Sequence, residues 1–250
     1  MIPGLERVVR WSASLLGYNV VPLPERNKMI EKDFVQIYRK CKNYTMTSIE
    51  RMYALYTSVG YIVDNNIPGD LVECGVWRGG SIMVMAYALL AKGDTSRKLY
   101  LYDTFTGMPR PAGTDLELPG GSKVLETWND KRQEDYNEWA FSSLSEVKKN
   151  VFSTGYPPGR IEFVKGKVED TIPNVIPEKI SLLRLDTDWY ESTKHELKHL
   201  FPLLQQRGVI IIDDYGSWGG SKAAVDEFLM SKCNPLFLAP LDLEARIAVV

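Results

Sequence analysis

Two pairs of acids stand at places where chemistry can be done. Leu182-Leu183-Arg184-Leu185 runs into Asp186-Thr187-Asp188-Trp189-Tyr190, and Ile210-Ile211-Ile212 runs into Asp213-Asp214-Tyr215. Each apolar run reads as a strand, so each acid pair leaves a carboxyl end, the edge at which open α/β sheets hold their ligands. The two runs are consecutive and separated by one helical stretch, which predicts neighbouring strands. Four carboxylates gathered in one crevice repel one another, and a hard cation relieves that repulsion. Oxygen-only ligands suit Mg²⁺ best, with Mn²⁺ or Ca²⁺ as the other oxygen-seeking ions. The plain alternative is that the acids cap helices.

A glycine-rich turn lies upstream. Leu71-Val72-Glu73-Cys74-Gly75-Val76-Trp77-Arg78-Gly79-Gly80-Ser81 reads as a strand, a tight turn and the start of a helix. Small residues there let backbone N–H groups approach a ligand at the helix start. A dinucleotide fingerprint needs G-x-G-x-x-G, and Trp77 fills the position that must be bare for a pyrophosphate. The remaining pattern, E-x-G-x-x-x-G-x-S, resembles the first motif of Rossmann-like methyltransferases that use S-adenosylmethionine (SAM). Its plain alternative is a turn needed only for helix–strand packing. Asp103 ends the next apolar run, thirty residues after Glu73. An acid there can accept hydrogen bonds from both hydroxyls of a ribose, or can cap a helix.

These residues need a sheet to position them. Apolar runs recur at Leu71-Val72, Leu99 to Tyr102, Ile161 to Val164, Ile180 to Leu185, Val209 to Ile212, Leu236 to Leu238 and Ile247 to Val250. Seven runs separated by helical stretches predict an α/β, Rossmann-like, seven-stranded and mostly parallel sheet with helices on both faces. The β-branched run Ile210-Ile211-Ile212 belongs in its interior. Residues 1–66 read as an N-terminal helical extension, clearest from Ser48 to Asn65, and residues 67–250 as the sheet domain. Leu5, Val8, Val9, Ser12, Leu15 and Leu16 recur at helical spacing, so residues 4–17 read as an amphipathic helix that packs on a domain or a second subunit. Residues 104–151 are too long for an ordinary connection and carry Trp128, Tyr136 and Trp139, which suggests a lid over the site.

The motifs taken in order point to one family. E-C-G-V-W-R-G-G-S, Y-D-T-F-T-G-M-P, L-R-L-D-T-D-W-Y and I-I-D-D-Y together resemble the macrocin O-methyltransferase family from about Tyr44 to Asp226. Members use SAM and Mg²⁺ to methylate sugar hydroxyls on antibiotics such as macrolides and aminocoumarins. The resemblance implies that Asp188 is catalytic base and metal ligand, with Asp213 and Asp214 as the other ligands. It places SAM against Thr45, Met46, Glu73, Gly75, Trp77, Gly79, Ser81, Asp103, Thr104, Val168, Glu169 and Asp188. The order also resembles metal-dependent catechol methyltransferases, which have Asp-Asn at the later pair. Asp214 brings this chain nearer the sugar enzymes.

Other motifs fit less well. His195-Glu196-Leu197-Lys198-His199 matches H-E-x-x-H, but Leu197, Leu200, Phe201 and Leu204 form the apolar stripe and set both histidines on the opposite face. Asp186-Thr187-Asp188 also matches the D-x-D of metal-dependent glycosyltransferases, a reading that leaves the glycine turn and Asp213-Asp214 without a purpose. A SAM-binding protein without catalysis is the remaining alternative. The 30 Lys+Arg against 32 Asp+Glu give a net charge of −2, which argues against a nucleic-acid binder. No run is long enough to span a bilayer, the longest being Ile82 to Ala91. Three cysteines, Cys41, Cys74 and Cys233, match no metal motif and read as reduced thiols of a cytoplasmic protein. The expected partners are a small glycoside or sugar acceptor and a second copy of the chain in a dimer.

Overall fold

Parallel strands buried on both faces need continuous apolar sequence, and the runs found above supply it. The computed structural model describes residues 12, 15, 30–121, 123–231 and 236–250. It forms two compact units, residues 1–39 and 40–250. In the first, Ser12 and Leu15 are helical. The rest of the amphipathic helix expected over residues 4–17 lies outside the described residues. Helix α1 (Lys32–Cys41) follows, with Phe34, Ile37 and Cys41 buried at helical spacing.

The second unit holds the sheet. Its strands are β1 (Asp70–Cys74), β2 (Leu99–Asp103), β3 (Ile161–Lys165), β4 (Ile180–Leu185), β5 (Leu204–Ile212), β6 (Ala239–Pro240) and β7 (Arg246–Val249). They lie in the order β3-β2-β1-β4-β5-β7-β6. The first five are parallel, and β7 runs antiparallel to both β5 and β6. Every residue of β4 is buried, including Arg184. Register sets Glu73 of β1 opposite Arg184 of β4, and Leu185 opposite Ile212 of β5. The acids after β4 and β5 therefore emerge side by side. The expected strand at Leu236 to Leu238 is displaced. Leu236 and Leu238 pack against the core, and pairing falls on Ala239 and Pro240 instead.

Helix α2 (Ile49–Asp64) starts at Ser48, whose hydroxyl accepts from the Arg51 N–H. It packs on β4, β5 and α3 (Gly80–Ala91) and lies in the unit of residues 40–250. Helix α3 is apolar almost all round because it is buried almost all round. The connection from β2 to β3 contains α4 (Val124–Asp130) and α5 (Leu144–Phe152). Helix α5 packs on α3 as an ordinary crossover helix, which narrows the insertion to residues 104–143. The short α6 (Val168–Thr171) follows β3, α7 (Tyr190–His199) joins β4 to β5, and α8 (Gly219–Met230) follows β5. Among the described residues, no helix is long and apolar enough to cross a membrane.

Candidate active site

A cavity of about 310 Å³ opens along the carboxyl ends of β1, β2, β4 and β5. The glycine turn after β1 forms its floor. Gly75 has φ +82°, and a Cβ there would overlap the carbonyl oxygen of Asp186. A Cβ on Gly80 would overlap the carbonyl oxygen of Tyr44, so this glycine lets the segment before α2 close over the helix start. Thr45 and Met46 lie in that segment and line the cavity. Ser81 lines it too, and its hydroxyl points to Met52 Sδ at 3.8 Å. Gly79 does not reach the wall. It caps α3 with φ +89°, a backbone task.

Asp103 closes the floor from β2. Its carboxylate accepts backbone N–H groups from Val76 at 2.7 Å, Trp77 at 3.0 Å and Phe105 at 2.7 Å. The turn after β1 leaves these donors without helix or sheet partners, and Asp103 supplies the acceptor. Oδ2 takes the Val76 and Trp77 N–H groups and Oδ1 takes that of Phe105, and the residue lines the cavity where an acceptor for ribose hydroxyls is expected. Thr104 holds the next turn by donating to the Gly107 carbonyl at 2.7 Å. Val168 and Glu169 stand on the first turn of α6, at the far wall.

Buried acids and two arginines form the other wall. Arg184 hydrogen-bonds Glu73 across the β1–β4 register. Its Nη1 also lies 2.7 Å from Asp186 Oδ2, and its Nη2 2.8 Å from Asp213 Oδ1. Arg51, from α2, reaches Asp213 at 2.7 Å and Asp242 at 2.7 Å, and hydrogen-bonds Glu244. Burial pushes the Glu73 carboxyl up, while Arg184 pulls it back. Glu73 Oε2 is buried without a hydrogen-bond partner.

Asp188 and Asp214 carry no such compensation. The Asp188 N–H donates to Asp214 Oδ2 at 3.0 Å, and Asp188 takes φ +65°. Among the described residues neither has a cationic partner. Burial first, then the neighbouring acids, push both carboxyls well up from the ordinary aspartate range. Carboxylate atoms of Asp186, Asp213 and Asp214 lie within 4.8 Å of one another. The tightest trio thus contains Asp186, with Asp188 beside it through Asp214.

Three residues of this wall escape sequence reasoning. Arg184 was visible only as a charge inside an apolar run, and Arg51 only as one exposed-looking position on a helix. Glu196 was visible inside H-E-x-x-H. It is fully buried, and Thr187 Oγ1 lies 3.1 and 3.2 Å from its two oxygens. The flanking histidines are not paired with it as metal ligands. His195 Nε2 meets the Ile172 carbonyl at 2.9 Å, and the two imidazoles lie tilted at 44° with centroids 4.4 Å apart.

The fold is that of the α/β methyltransferases. A structure of the O-methyltransferase NovP superposes with a TM-score of 0.72 at 29% identity, covering 82% of this chain and 81% of that one. The SAH-bound Podospora anserina methyltransferase PaMTH1 shares the fold at 14% identity, with a TM-score of 0.53, over 92% and 97% of the chains. Residues 28–242 match the macrocin-O-methyltransferase (TylF) family, and this chain belongs to it. Among its relatives is the 8-demethyl-8-(2,3-dimethoxy-alpha-L-rhamnosyl)-tetracenomycin-C 4'-O-methyltransferase of Streptomyces olivaceus, 36% identical over 69% of this chain and 62% of that enzyme. Another is the demethyldecarbamoylnovobiocin O-methyltransferase of Streptomyces niveus, 33% identical over 74% of this chain and 67% of that enzyme. The chain thus spans under two thirds of the length of the first relative.

Proposed function

We propose that this protein transfers a methyl group from SAM to a hydroxyl of a sugar or glycosylated metabolite, assisted by Mg²⁺. The observation that carries the reading is the pair of half-buried Asp188 and buried Asp214, joined through the Asp188 N–H and without a cationic partner among the described residues. The converging carboxylates of Asp186, Asp213 and Asp214 are an oxygen-only donor set that fits Mg²⁺, with Asp188 beside Asp214 as a further holder. When bound, Mg²⁺ lowers the pKa of a hydroxyl that it polarises.

The chain's own residues do the rest. The partnerless, buried Glu73 Oε2 is an acceptor suited to the ammonium of the methyl donor's methionine end. Asp103, on the ribose side, keeps the glycine turn in shape. Asp188 stands at the cavity wall as general base for the acceptor hydroxyl. The acceptor oxygen takes the methyl in one in-line displacement, its proton passes to Asp188, and the sulfur keeps the electron pair of the broken C–S bond. Holding both partners in line removes much of the entropic barrier. Buried, unbridged Cys41 and Cys74 suit a reducing compartment such as the cytoplasm.

Calorimetry with SAM and Mg²⁺, each alone and then together, tests the reading. The expected result is SAM binding without metal and Mg²⁺ binding that Asp214→Asn weakens at least tenfold. Absence of SAM binding overturns it.

A further inference from the structure

Three tryptophans meet beside the acids. Trp139 comes from the insertion, Trp189 follows Asp188, and Trp218 lies in the turn after β5. The Trp139 and Trp218 rings have centroids 5.9 Å apart at 56°, an open corner. Buried Trp189 braces it from behind, edge-on to Trp139 at 5.9 Å and to Trp218 at 5.1 Å. Trp139 and Trp218 are half-buried and line the cavity.

Their polar atoms are uncommitted. Trp189 Nε1 donates to the Pro109 carbonyl at 3.0 Å and Trp128 Nε1 to the Met108 carbonyl at 2.8 Å. Among the described residues, the indole N–H groups of Trp139 and Trp218 have no hydrogen-bond partner. An indole N–H is a donor only, so a ligand at this corner must offer oxygen acceptors along with an apolar face.

The corner is also held at a set offset from the acids. The Trp218 N–H donates to the Asp214 carbonyl at 2.9 Å. The Trp139 N–H donates to Asn137 Oδ1 at 2.9 Å, and its carbonyl accepts from the Met108 N–H at 3.0 Å. The insertion is stitched down by Leu118 N–H to the Ser217 carbonyl and Gly219 N–H to the Leu116 carbonyl, each at 2.7 Å. Asp115, buried, accepts the Tyr190 N–H at the start of α7 at 2.8 Å.

We infer that Trp139 and Trp218 are the seat of the acceptor ring, a pyranoside whose C–H face lies on the indoles while its ring oxygens or hydroxyls accept their N–H groups. The inference rests on the methyl-transfer reading and adds what selects the acceptor. The seat and the acids line one cavity.

Saturation-transfer NMR on the full chain with SAH, irradiating aromatic resonances only, tests the seat. The probes are methyl α-L-rhamnopyranoside and methyl β-D-glucopyranoside. Transfer to ring C–H protons is expected, with binding weakened roughly 3- to 10-fold in Trp139→Leu and in Trp218→Leu. Trp128→Phe should leave it unchanged, and SAM affinity by calorimetry should be unchanged in all three. Where a Leu variant fails to fold, the Phe variant at that position decides, since it keeps a face and loses the N–H. A weaker probe there supports the seat, and an unchanged one overturns it. Unaltered transfer in both Leu variants overturns the seat. So does absence of transfer from the wild type while SAM still binds, which leaves the methyl-transfer reading standing. Absence of SAM binding to the wild type overturns both.

Discussion

Arg51 Nη1 lies 2.7 Å from Asp213 Oδ2, joining the helix before the sheet to the acid at the end of β5. The same guanidinium holds Asp242 and Glu244 of the turn before β7. One side chain thus ties the first helix of the sheet unit, the acid cluster and the last hairpin together. Its planar fork of donors does this, and a lysine ammonium offers no such fork.

Arg51→Ala should therefore destabilise the protein by about 2–4 kcal/mol, because it strips a partner from a buried acid. Arg51→Lys should lose a smaller share. Urea unfolding midpoints check this, and a loss for Arg51→Ala under about 0.5 kcal/mol, the size of an exposed pair, would contradict it.

Glu196 gives a second prediction. Burial pushes its carboxyl well above the ordinary range, and it lies against the Thr187 hydroxyl. Glu196→Gln keeps the shape and an oxygen that can accept from Thr187, and should change stability by less than about 1 kcal/mol. Glu196→Ala leaves Thr187 unpaired over a cavity and should cost about 2–4 kcal/mol. It should also weaken Mg²⁺ binding, since Thr187 separates Asp186 from Asp188. Equal stabilities for the Gln and Ala variants would show that Thr187 does not depend on this contact.

Asp242 sets a pH dependence. It is partly buried, yet the backbone N–H groups of Ala245 and Glu244 and the Arg51 guanidinium hold it down to about 2 from an ordinary 3.8. A group with a depressed folded pKa stabilises above its unfolded pKa, and that stability is lost as pH falls through the folded one. Asp242→Asn should thus cost about 1 kcal/mol near neutral pH after solvent screening. The gap between wild type and variant should shrink as pH falls from 3.8 toward about 2. A gap that stays constant over that range would remove the carboxylate from the account.

Much of this architecture was legible from local pattern. Strands β1, β2, β4 and β5 showed as apolar runs because parallel strands inside a sheet are covered on both faces, and edge strand β3 and antiparallel β7 showed as apolar runs too. Helix α2 showed from Ser48 to Asn65 as a helical stretch, and Ser48 proves to be its cap. Strand β6 was hidden because two residues, one a proline, make no pattern. The acid pairs were legible as strand ends. Their partners were not, since Arg184 meets Glu73 across 111 residues and Arg51 meets Asp213 across 162. Such pairs depend on register and helix placement, which spacing does not encode. Asp103 shows the same limit. Its position at a strand end was readable, but its bonds to the Val76 and Trp77 amides follow from a turn geometry that only the fold reveals.

The central claim is that Asp188 takes the acceptor's proton during methyl transfer from SAM. The most direct test incubates wild type and Asp188→Asn with methyl-labelled SAM, Mg²⁺ and a panel of glycosides, and reads products by mass spectrometry. The account predicts a gain of one methyl group with the wild type, abolished by EDTA. It predicts a loss of about 10²–10⁴-fold in rate for Asp188→Asn with SAM affinity unchanged. Methylation at the wild-type rate by Asp188→Asn, or in EDTA, would contradict it.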